Sequence, residues 1–81
     1  MAEEPKPIVF TDHADIRMAE RGISHNQLSN AIRQPDFRKP GNTDYSLRLE
    51  REFHPNRLLV VIVEESIDFI KVITAYWKQL G

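Results

Sequence analysis

The chain predicts an α+β layer fold, two N-terminal helices packed on one face of a three- to four-stranded antiparallel sheet, and three observations predict it. A run from His13 to Ser24 carries apolar residues at helical spacing between a capping Thr11 or Asp12 and a terminating Gly22. Ser24 and Gln27 form an S-x-x-Q capping box at the head of a second short helix. From Asp36 the hydrophobic period drops to two, the period of strands.

Each element follows from local chemistry. Residues 1–9 read as a solvated leader, with Pro5 and Pro7 opposing regular structure, and residues 10–81 as a single domain. In the second helix Ile23 and Leu28 occupy the hydrophobic-staple positions, Leu28, Ala31 and Ile32 give the apolar face, and Pro35 ends it. Tyr45, Leu47, Leu49 and Phe53 then alternate with Ser46, Arg48, Glu50 and Glu52, as in a strand with one buried face, and Arg51 alone breaks the pattern. Residues 54–57 are a turn. Leu58 to Val63 are apolar at every position, which predicts a central strand covered on both faces. After a turn at Glu64–Ser66, a strand over 67–77 places Ile70, Val72, Thr74 and Tyr76 on one face. Phe69, Lys71, Ile73, Ala75 and Trp77 fall on the other. Leu28, Ile32, Leu59, Val61 and Ile73 are the expected core.

Composition narrows the class. A chain of 81 residues with 41% hydrophobic and 28% charged residues is an ordinary globular domain. No apolar run nears the roughly 20 residues of a membrane span. The absence of Cys excludes disulfides and thiolate metal sites, and the opening MAEEPKP lacks the layout of a signal peptide, so the expected location is the cytoplasm, without a membrane partner. The formal net charge of -1 lacks the basic excess usual in proteins that live on phosphate contacts. Arginines nevertheless crowd the middle of the chain, which allows a local basic surface.

The stretch HADIRMAERGIS concentrates the chemistry, because His13, Arg17, Glu20 and Arg21 fall on one connected helical stripe. Metal-free RNA cleavage needs a base for the 2′-hydroxyl proton, an acid for the leaving oxygen and cations for the growing phosphate charge. His, Tyr and Arg can fill those roles, and the planar fork of Arg17 suits a phosphate. The structural alternatives are equally concrete: a His packed at a helix start, and arginines ion-paired with Glu20 or Glu50 for only about 0.2 to 1 kcal/mol each. Three His without an H-x-H, H-E-x-x-H or Cys partner make no metal motif, and no cofactor is expected.

FTDHADIRMAERGIS, the following short helix and PD, an Arg-bearing strand, LLVVIVEE and the terminal VITAYW together resemble a family of small, uncharacterised prokaryotic proteins grouped with the RelE and BrnT ribonuclease toxins. The likeness runs from Phe10 to Trp77. It implies a helix-plus-antiparallel-sheet fold and metal-independent RNA cleavage in a toxin–antitoxin setting, with RNA and an antitoxin or other protein as partners. Carried over by position, His13, Arg17 and Tyr76 are the expected catalytic residues. Arg21, Thr74 and a strand arginine, Arg48 or Arg51, are expected to bind substrate, with His13, Arg17 and at least one of Arg48, Arg51, Thr74 and Tyr76 converging on one concave site. The alternative is a non-catalytic domain that binds RNA or a protein through the same His and Arg surface. The oligomeric state is left open.

Overall fold

The computed structural model of the chain describes residues 6–80 and runs β1 (Ile8–Phe10), α1 (Asp12–Arg21), α2 (His25–Arg33), β2 (Phe37–Pro40), β3 (Ser46–Phe53), β4 (Arg57–Glu65) and β5 (Ile70–Gln79). The strands form one sheet in the order β1-β5-β4-β3-β2, antiparallel except for β1 on β5. The α+β class is as the sequence predicts. The sheet is not: it is mixed and five-stranded, and a strand precedes the helices. Ile8 and Val9, expected in the leader, pair with Ile70 and Lys71. The rest of that leader, before Lys6, lies outside the described residues.

Neither added strand shows a period of its own. β1 has three residues, too few to alternate, and β2 is exposed along its whole length, so no buried face marks it. Both take their extended form from the hydrogen bonds of a longer neighbour.

The helices form where the caps dictate. The Thr11 hydroxyl accepts from the Ala14 N–H at 3.1 Å, and Gly22 closes α1 in the left-handed region at φ 66°. Ser24 and Gln27 make the expected reciprocal capping box at 3.1 and 3.0 Å. Such caps contribute about 1 kcal/mol each, useful in helices of ten and nine residues that would not persist alone.

Packing supplies the rest. α1 lies on β5, and α2 lies across β3 and β4. Ala14, Met18, Leu28, Ala31 and Ile32 meet an inner sheet face of Leu49, Leu59, Val61, Val63, Val72 and Ala75. Four of the five expected core residues are buried; Ile73 is not, and is only half-buried. The cause is a bulge: Ile62 pairs with Thr74 but Val63 pairs with Val72, leaving Ile73 as the extra residue. Beyond it the strand's faces exchange, so Ala75 and Trp77 join Val72 inside while Thr74 and Tyr76 turn outward.

The outer face of the sheet has no covering element among the described residues, contrary to the expectation for β4. Val60 is nonetheless fully buried there, between Glu50 and Tyr76 on the flanking strands. The stems of such long side chains supply the cover that a second layer would otherwise give.

Candidate functional site

The stripe on α1 is fixed to the sheet at both ends. At the N-terminus the Thr11 hydroxyl donates to the Val72 carbonyl at 3.3 Å. At the C-terminus the Trp77 indole N–H donates to the Arg21 carbonyl at 3.0 Å. Because β1 pairs only with the first three residues of β5, the edge of β5 beyond Val72 has no strand partner among the described residues, and α1 packs on that strand.

Arg21 reaches round it. One guanidinium N–H donates to the Ala75 carbonyl at 2.8 Å and lies 3.4 Å from the Thr74 hydroxyl, on the outer face. Arg17, one turn back, places Nε 3.5 Å from His13 Nε2, at the limit of a hydrogen bond, and Nη1 3.3 Å from the Glu20 carboxylate. His13, Arg17 and Arg21 therefore follow one another along α1, and Arg21 carries that stripe to Thr74 and Ala75 on β5. Tyr76 is two residues beyond Thr74 on the outer face.

The two strand arginines separate. Arg48 is on the outer face, in the cross-strand row Lys39, Arg48, Ile62, Thr74. Two strand spacings of about 4.8 Å set its backbone about 10 Å from that of Thr74. Arg51 is on the inner face, where it donates to the Gln34 carbonyl at 2.6 Å and lies over the Phe53 ring at 5.7 Å. It does not join the other site residues.

Of four clefts among the described residues, none is lined by His13 or Arg17. Two of them, each of about 510 Å³, flank Leu47 and the loop before it. The expected residues instead straddle a sheet edge, His13 and Arg17 on the helix side and Thr74, Tyr76 and Arg48 on the outer face.

Lys39 and Glu50 complete the outer surface and were not among the expected site residues. The Glu50 carboxylate, only 3% exposed, accepts from Arg48 Nε at 2.6 Å and lies 3.3 Å from Lys39 Nζ. Burial pushes its carboxyl up, but the hydrogen bonds and positive charge of Arg48 and Lys39 outweigh this and hold it below the usual range. One carboxylate thus orients two cations, leaving the remaining guanidinium and ammonium donors for a ligand. Arg48 and Glu50 at i, i+2 share a strand face, a signal already visible in RLER. Phe37, about half exposed, stands beside them in the row that runs through Glu50 and Val60 to Tyr76.

His25 is structural. Its ring stacks on Phe10 with centroids 4.2 Å apart, and its Nε2 lies 3.0 Å from the Asp15 carboxylate, joining β1, α1 and α2. Among the described residues no three His, Asp or Glu are grouped as metal ligands, and no helix is long and apolar enough to cross a membrane.

These features define a small two-layer α+β domain with a cation-bearing helix against a free sheet edge. The chain belongs to the family described as Domain of unknown function (DUF4258), whose model matches residues 10–77. Neither the curated proteins nor the solved structures contain a match.

Proposed function

We propose that this domain binds single-stranded RNA along the β5 edge and the adjoining outer face, and that its likeness to the RelE and BrnT toxins reflects a shared use of this surface. The observation that carries the reading is Arg21, which links the His13 and Arg17 stripe to Thr74 and so to one surface with Tyr76, Arg48, Lys39 and Phe37. Cations that track a backbone, interleaved with aromatic rings such as exposed Phe37 and half-buried Tyr76, are what single strands require. The local charge supports it despite the net charge of -1: Arg48 and Lys39 share one carboxylate, and Arg21 has no carboxylate within 4.0 Å among the described residues.

Metal-independent cleavage is the second reading, favoured by the pairing of His13 Nε2 with Arg17 Nε. In that geometry the Nε2 lone pair accepts from Arg17, so the imidazole acts as a general base once Arg17 turns to the phosphate and frees it. Tyr76 as the acid requires the strand to cross the β5 edge. A neighbouring antitoxin belongs to this reading.

Labelled single-stranded RNA incubated with the protein in EDTA separates the possibilities. Binding without cleavage supports the first reading, and cleavage lost in His13→Ala with binding retained supports the second. No binding even at low salt removes both and leaves a protein partner at the same surface.

A further inference from the structure

The inner sheet face is not fully roofed. α2 ends at Arg33 and Pro35 diverts the chain into β2, so Leu47 and Ile70, at the corner beyond the covered Val63, stay only half-buried. The result is a cleft of about 300 Å³ with Ile32 as one wall and Arg33, Arg38 and Glu65 at its mouth. Its volume is at the lower end of the roughly 300 to 1,000 Å³ typical of small-molecule sites, and its make-up, an apolar floor with a few polar groups at the rim, is typical too.

The rim selects the charge. Arg38 approaches Glu65 only at 4.0 Å, and Lys6 takes another oxygen of the same carboxylate at 3.5 Å. Arg33 has no carboxylate within 4.0 Å among the described residues. Two cations therefore share the mouth with one anion, and that anion is already answered by Lys6 from outside the cleft. The negative end of α2 subtracts about half a charge, which leaves the mouth positive. A neutral apolar guest would leave Arg33 unanswered, whereas a carboxylate would meet two planar forks.

We infer that this corner is a binding site for a small amphiphilic carboxylate, its tail on Leu47 and Ile70 beside Ile32 and its head between Arg33 and Arg38. The site is on the inner side of the sheet, away from the proposed RNA surface, and stands or falls independently of it. Octanoate is the probe, followed by ¹H–¹⁵N NMR on the intact chain, with n-octanol as the uncharged control. Octanoate should shift the amides of Arg33, Arg38, Leu47 and Ile70 in a saturable way, and octanol should bind about tenfold more weakly, a difference of about 1.4 kcal/mol. Arg33→Gln with Arg38→Gln should lose that same tenfold, Glu65→Gln should tighten binding by freeing Arg38, and Leu47→Trp should abolish it by filling the cleft. The arginine variants are at exposed positions, so they test the site even if Leu47→Trp fails to fold. Equal binding of octanol, shifts centred elsewhere, or no saturation at about 10 mM overturns the inference.

Discussion

Arg21 donates to the carbonyl of Ala75 at 2.8 Å and so occupies the hydrogen-bonding edge of β5 where no strand does. An unpaired edge is a template for another chain, and a charged side chain laid across it is one of the ways proteins block that pairing. The same contact seats the end of α1 on the sheet.

Arg21→Ala should therefore lower stability by about 1 kcal/mol, the value of an ordinary hydrogen bond and less than that of a buried charged one, because the site is open to water. It should also raise self-association, as the β5 edge is uncovered. Urea melts read the first effect and sedimentation the second; a variant as stable and as monodisperse as the parent would show that the contact is incidental.

Core truncations should follow the bulge. Ile32→Ala removes a buried side chain between α2 and the sheet and should cost about 2 to 5 kcal/mol. Ile73→Ala, at the extra residue of the bulge, should cost less than about 1 kcal/mol. Equal losses in urea melts would mean that Ile73 is packed after all.

Glu50 makes stability depend on acid. Its carboxyl is held below the usual range in the folded protein, so below about pH 4.3, the ordinary glutamate value, the unfolded chain takes up the proton first. The contribution is present above that pH and is lost as pH falls through the lower, folded value. Glu50→Gln should cost about 1 to 3 kcal/mol at pH 7, because Arg48 and Lys39 lose their partner. Melts across pH should show this gap narrowing below about pH 4.3; a gap constant with pH would contradict the ion-pair network.

RNA affinity should fall with salt at a log–log slope of about -2 to -3, as expected for three or four contacts at roughly 0.7 each. Arg48→Ala should weaken binding and flatten the slope by about 0.7, whereas Arg51→Ala, committed to Gln34 on the inner face, should change neither. Fluorescence anisotropy at several salt concentrations checks both. Equal effects of the two substitutions would rule out the outer face as the track.

His13→Ala should leave affinity within about twofold and remove any metal-independent cleavage, since Arg21, Arg48 and Lys39, the cations of the proposed track, remain. A large loss of affinity would make His13 a contact and not a base.

The sequence by itself determined the elements whose causes are local. Thr11 and Gly22 bound α1, the Ser24–Gln27 box starts α2, and alternation marks β3, because caps and periods act over a few residues. It also placed His13, Arg17 and Arg21 on one helical stripe. Tertiary structure alone decided the rest. β1 and β2 exist only as partners of longer strands, and the bulge at Ile73 comes from register with Ile62 and Val63 of β4, on another strand of the sheet. That single extra residue turns Thr74 and Tyr76 outward, away from Val72. Arg48 and Arg51 are three positions apart, an odd number, so a strand must send them to opposite faces; which face the helices would cover was settled only when α2 packed on β3 and β4.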